Sequence, residues 1–265
     1  MSETTVGMVR DELIQNVFVD GQNSTIINPS EKAIEQIVKV ISESDNIGEI
    51  KIIVSEQTLK SLRRDFIVAS KASEFIDKGI LLIQAINNTP TQGTLIKTEE
   101  TMRCIVDIDE NMIITDGQEV YENVDEIIMN IWDDSEPISL RTPGLSNIYN
   151  EMRDEFGDEI ADDYKFVIDN VTEFDNNMDE VAAALLVAAR NEMLLYDISK
   201  WGEDVGLASK ATFSRTKTRL EDNGYIQTEK VPIDVGRPRL RLKLMSNVYE
   251  EEYDGQVISL VQELL

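Results

Sequence analysis

Residues 207–244 read LASKATFSRTKTRLEDNGYIQTEKVPIDVGRPRLRLKL, and the fold of the C-terminal third turns on them. Nine basic residues stand there against Glu221, Asp222, Glu229 and Asp234, a local net charge of +5 in a chain whose total is −26. Ser209 is a favourable N-cap and Gly224 a favourable C′ residue, which bounds a helix between them. Phe213 and Leu220 lie seven apart and share one face of that helix, while at about 100° per residue Ala211, Ser214, Arg215 and Thr218 share the opposite one. Residues 225–231 and 239–244 read as strands joined by the proline-bearing loop 232–238. In the second, RLRLKL, period two predicts Leu240, Leu242 and Leu244 facing the core and Arg239, Arg241 and Lys243 facing water.

On the N-terminal side, residues 179–191 (DEVAAALLVAARN) form a compact Ala/Leu/Val helix. A second helix over 195–205 places Ile198, Trp201 and Val205 at spacings of three and four, and Gly206 forces a turn before the third. Three helices with a glycine-containing turn between the last two make a helix-turn-helix, and the strand pair makes a wing. The outer face of the third helix is small, hydroxylated and basic, which suits a major groove. Ser214 and Thr218 reach phosphate or base edges, and Arg215 pairs bidentately with guanine. Ser209, Lys210 and Thr212 at the helix start suit a phosphate. Arg219, Lys230, Arg237, Arg239 and Arg241 extend the cationic surface onto the wing, whose tip carries Arg237.

Composition narrows the alternatives. With 51 Asp+Glu against 25 Lys+Arg and no histidine, the 265 residues exclude Ser-His-Asp and Cys-His nucleophiles and two-His metal sites. Cys104 stands alone, so neither an internal disulfide nor a cysteine-built zinc site is available. An apolar fraction of 42 % is too high for an acidic disordered chain. The pI near 4.3 points to a counterion-rich cytoplasm, where charges are screened within roughly 3 Å at about 1 M salt, hence a halophile, and archaeal in the light of the resemblance below. Nothing reads as a signal peptide or membrane span, so a cytoplasmic protein is expected.

The first half alternates strands and helices. Strand-like runs at 16–20, 25–28, 49–54 and 80–86 frame a helix opened by Pro29 over 31–42 and a helical stretch over 57–79 that stops at Gly79. Short strands follow at 94–97, 101–108 and 112–121, with Asp116-Gly117 as a hairpin signal, then a helix over 124–132. No phosphate-cradling glycine motif punctuates the stretch, and no cofactor or metal site is read from it. Twelve acids against Arg153 and Lys165 over 151–180, with Phe156, Ile160, Tyr164, Val167 and Ile168 at helical spacing, predict an acidic amphipathic connector helix.

TFSRTKTRLEDNGYI (212–226) followed by EKVPIDVGRPRLRLKL (229–244) resembles the recognition helix and wing of winged-helix transcription regulators, with Lys217 where an aliphatic residue is common. Over the whole chain, an acidic α/β domain joined to a C-terminal winged helix resembles the haloarchaeal TbsP-like regulators, a family linked to control of central carbon metabolism. That resemblance implies a homodimer on double-stranded promoter DNA. The expected fold class is α/β with a mixed sheet, followed by a winged helix-turn-helix domain. The expected organisation is a sensor or dimerisation domain over 1–148, the connector over 149–178, the winged helix over 179–246 and a C-terminal amphipathic helix over 247–265. Two questions stay open at this level: whether the first domain holds a small-molecule effector or serves as a dimer platform, and whether the last helix packs on its own domain or pairs two copies. A winged helix used for protein assembly is the competing function, which the outward arginines disfavour.

Overall fold

The computed structural model describes residues 3–6, 21–44, 46–87, 91, 93–99, 101–108, 111–117, 124–171, 179–234 and 236–245. The strand expected at 16–20 and the helix expected at 247–265 lie outside them. The chain forms two compact units, Met1–Gly144 and Leu145–Leu265.

In the first unit β1 (Glu3–Val6) is followed by β2 (Ser24–Ile27), α1 (Glu31–Glu43), β3 (Ile50–Ser55), α2 (Glu56–Leu62), α3 (Phe66–Asp77) and β4 (Leu81–Ile86). Then come β5 (Thr94–Thr98), β6 (Met102–Ile108), β7 (Asn111–Gly117), α4 (Val124–Asp133) and β8 (Glu136–Pro137). One eight-stranded sheet takes the order β1-β7-β6-β5-β2-β3-β4-β8. Strands β2, β3 and β4 are parallel and the remaining pairs antiparallel, so the sheet is mixed, as the sequence predicts. Period two divides its side chains: Ile26, Ile50, Ile52, Val54, Leu81 and Ile83 pack beneath α1, α2 and α3. Ile27 and Ile53 point the other way, against Ile128 of α4. Each fully buried isoleucine contributes about 1.5–3 kcal/mol of transfer free energy.

Local signals explain the boundaries and correct three expectations. Ser30 caps α1 by accepting from the Ala33 amide at 3.3 Å, which leaves Pro29 one residue outside the helix it was expected to open. The helical stretch 57–79 is two helices, because Asp65 accepts from the Val68 amide at 3.0 Å and starts α3 afresh. Gly79, at φ +70°, ends α3 as expected, with the Ile80 amide donating back to the Phe75 carbonyl at 2.9 Å. Asp116-Gly117 is not a hairpin turn. The two residues are the last of strand β7, Asp116 pairing with Arg103 of β6 and Glu3 of β1, and Ile108 pairs with Asn111 where β6 meets β7. Two flanking strands outweigh one local turn preference.

In the second unit α5 (Leu145–Phe156), α6 (Asp158–Val171), α7 (Glu180–Arg190), α8 (Leu195–Asp204) and α9 (Lys210–Asp222) precede a hairpin of β9 (Ile226–Val231) and β10 (Arg239–Leu244). The single acidic connector helix expected over 149–178 is two helices, broken at Gly157 with φ +94°. They belong to the same compact unit as the helix-turn-helix. Their apolar stripe docks: fully buried Tyr164 meets Trp201 edge-on at 6.2 Å, Phe156 meets Trp201 at 6.0 Å, and Arg190 pairs with Asp163. Helix α7 is buried on every side from Val181 to Ala189, which makes it the axis of the unit.

Candidate nucleic-acid interface

The helix-turn-helix rests on one close approach. A Cβ on Gly202 of α8 would stand 2.3 Å from the Phe213 ring of α9, so only glycine lets the two helices seat. Phe213 is wholly buried and Leu220 and Thr216 nearly so, which fixes the rotation of α9 about its axis. Gly206, at φ +78°, reverses the chain, and Leu207 donates to the Gly202 carbonyl at 2.8 Å. Ser209 caps α9, its Oγ accepting from the Thr212 amide at 3.2 Å. The rotation leaves Ala211, Ser214, Arg215 and Thr218 on the exposed stripe, as the sequence predicts. Thr218 Oγ1 donates to the Ser214 carbonyl at 3.1 Å, and Arg215 Nη2 donates to Thr212 Oγ1 at 3.3 Å.

The hairpin is joined by a third short segment. Leu194 bridges to Arg241, and Leu242 donates to the Met193 carbonyl at 2.9 Å, tying the wing to the turn between α7 and α8. Of the three leucines expected in the core only Leu242 is wholly buried; Leu240 and Leu244 are half-buried.

The cations do not stand free as a single ridge. Lys210 pairs with Glu203 at 2.8 Å, Arg219 with Asp179 at 2.8 Å, Arg239 with Asp197 at 3.4 Å and Arg241 with Glu192 at 4.0 Å. Lys243 reaches Glu229 at 2.9 Å and Glu192 at 3.9 Å. Hydrogen bonding from Lys210 holds the Glu203 carboxyl below its ordinary range, and Lys243 does the same to Glu229. Arg219, on the flank of α9 beside the α7 N-cap, is not on the exposed stripe. Arg215, Lys230 and Arg237 have no ion pair among the described residues. Lys217 is tucked in, 2.5 Å from Glu221, whose other oxygen accepts from Thr228 at 2.8 Å. Tyr196 escaped the sequence reading. Its half-exposed ring lies 4.1 Å under the Arg239 guanidinium, and no helical period distinguishes such a platform from a core aromatic.

Residues 144–262 match the family described as "Transcriptional regulator TbsP-like, C-terminal HTH domain", and residues 2–143 match "TbsP_N: Transcriptional regulator TbsP-like, N-terminal". The chain belongs to the TbsP-like transcriptional regulators. The boundary between the two matches falls at the division between the compact units. No curated protein matches this TbsP-like chain. Among solved structures it is similar to TrmBL2, described as an archaeal chromatin protein with a novel mode of DNA binding. The similarity has 11 % identity and a TM-score of 0.38, covering 52 % of this chain and 54 % of that one, so the alignment spans about half of either. In this TbsP-like regulator α9 and the wing lie within the matched C-terminal HTH domain. Among the described residues no group of acids or cysteine could hold a metal ion, and no helix is long and apolar enough to cross a membrane.

Proposed function

We propose that this protein is a cytoplasmic, sequence-specific transcription regulator of metabolic genes that binds promoter DNA as a homodimer. Helix α9 enters the major groove with Ala211 and Ser214 permitting close approach. Arg215 reads a base edge, Thr218 and the Ser209–Thr212 start of the helix take phosphates, and the wing lays Lys230, Arg237, Arg239 and Arg241 along the backbone. The observation that carries this reading is the exposed α9 stripe itself: Arg215 stands between two small hydroxylated residues with no carboxylate of its own. Dimeric binding places two such helices about 34 Å apart on half-sites one turn of duplex away from each other.

The test is a retardation assay at molar potassium chloride with promoter fragments enriched from the source genome. Selective binding that is lost in the Arg215→Ala, Arg239→Ala double variant supports the reading. Wild-type indifference to DNA at every salt concentration overturns it and leaves the protein-assembly alternative. Light scattering of the bound complex reports whether two chains sit on one site.

A cleft of about 540 Å3 in the first unit favours an effector as a second element of this function. Thr25 lies in register between Lys97 of β5 and Lys51 of β3 on its floor, and Trp132 and Met129 of α4 wall it. Quenching of Trp132 fluorescence by a central-carbon metabolite, in a Trp201→Phe background, tests it.

A further inference from the structure

The ion pairs around the interface fall into two kinds. Lys217–Glu221 and Arg190–Asp163 are sheltered, the lysine side chain being 13 % exposed, and further hydrogen bonds from Thr228 and Asn191 hold their carboxylates. Lys210–Glu203, Arg239–Asp197 and Arg241–Glu192 have both partners between 37 and 58 % exposed, and Arg219–Asp179 is similar. Lys210, Arg239 and Arg241 are cations that the DNA reading places at phosphate, whereas Arg219 lies on the flank of α9. Exposed pairs of this sort contribute little net stability in water, so a phosphate displaces the carboxylate at little cost. Glu192 adds a detail: it occupies the left-handed region at φ +50°, where glycine or asparagine is favoured, yet its carboxylate reaches both Arg241 and Lys243.

We propose that Glu203, Asp197 and Glu192 are resident competitors of DNA phosphate. Docking exchanges each internal carboxylate for a phosphate oxygen, and each freed carboxylate takes up a monovalent cation from solution. This deepens the DNA-binding function and rests on it. The consequence is a changed salt response. The five cations placed at phosphate, Lys210, Lys230, Arg237, Arg239 and Arg241, would ordinarily release enough counterions for a slope of about −4.5 in log affinity against log salt. Uptake of one cation at each of the three freed carboxylates brings the slope towards about −1.5. The regulator thereby holds DNA at salt concentrations that strip a protein whose cations are all free.

The electrostatic component is independent of sequence, so a mixed-sequence duplex serves as probe, with the full-length chain titrated by fluorescence anisotropy across a tenfold range of potassium chloride. The Glu203→Gln, Asp197→Asn, Glu192→Gln variant is expected to bind at least tenfold more tightly at the low-salt end, with a slope steeper by about 2–3. A control variant, Asp154→Asn, Glu155→Gln, Glu159→Gln, removes the same charge from exposed positions on α5 and α6 and is expected to keep the wild-type slope. If the triple variant misfolds, Glu203→Gln alone reads the same effect at about one unit of slope. Equal slopes for wild type and interface variant, or equal steepening in the control, overturn the exchange while leaving DNA binding intact. Absence of binding by the wild type and both variants overturns the exchange together with the function it rests on.

Discussion

In the sheet unit neighbouring residues on one strand serve different cores: Ile52 packs under α1–α3 and Ile53 under α4. In the helix-turn-helix unit α7 is buried from every direction, and α9 is seated through Phe213, Thr216 and Leu220, with Phe213 against Gly202 the closest approach. The first arrangement spreads its stability over many strands. The second concentrates it, and so fixes the angular position of a handful of exposed side chains. The proposed match of α9 to a duplex requires that second property, because a turn of α9 by one residue would carry Arg215 off the exposed face.

The chain offers one tryptophan to each unit, Trp132 and Trp201, so the contrast can be read separately in single-tryptophan backgrounds. Phe213→Ala should have the largest effect, removing about 3–5 kcal/mol from the unit reported by Trp201. Gly202→Ala should weaken the same unit by about 1–3 kcal/mol through overpacking. Loss of the Trp132 transition in either variant would break the contrast. Ile52→Ala, at about 2–4 kcal/mol, should act on the Trp132 transition and leave mixed-duplex affinity unchanged. Next in size, Arg215→Ala should cost about 1–3 kcal/mol of discrimination at one base position. Lys230→Gln should weaken all sequences alike and flatten the salt slope by about one.

The smallest effect is expected at Tyr164, whose phenol is pushed well up, first by burial and then by the nearby Glu180. Its hydroxyl donates to the Glu180 carbonyl at 3.3 Å. The folded state therefore keeps the proton more tightly than the unfolded chain. The resulting stability is fully present below the unfolded value, near about pH 10, and is lost as pH rises from there towards the folded value. Tyr164→Phe should cost about 1 kcal/mol at neutral pH and remove that alkaline loss, measured as denaturant midpoints on the Trp201 signal. Because the chain has no histidine, mixed-duplex affinity should be flat between about pH 6 and 8.

Much of the fold was legible where one strong periodicity met one strong stop signal. Leu220 and Phe213 gave the rotation of α9, Ser209 and Gly224 its ends, and the alternation in RLRLKL its strand. Signals of the short range failed where long-range pairing competed. Asp116-Gly117 is a turn sequence in isolation but sits in β7 between two partners. The acidic run 151–180 read as a connector because its charges are conspicuous, whereas Phe156 and Tyr164 belong to the packing around Trp201. The candidate site was legible as a set of residue types and not as a set of charges, since each carboxylate partner comes from another helix or turn, as far as 49 positions away in the case of Glu192 and Arg241.

Local pattern, then, determined the mixed α/β and winged-helix classes and the outward stripe on α9, because helical and strand periods are properties of neighbours in the chain. Only the tertiary structure decided which cations are free. Coulombic pairing depends on distances of a few ångströms between distant segments, and it leaves Arg215, Lys230 and Arg237 without a carboxylate among the described residues while Lys210, Arg219, Arg239 and Arg241 each lean on one.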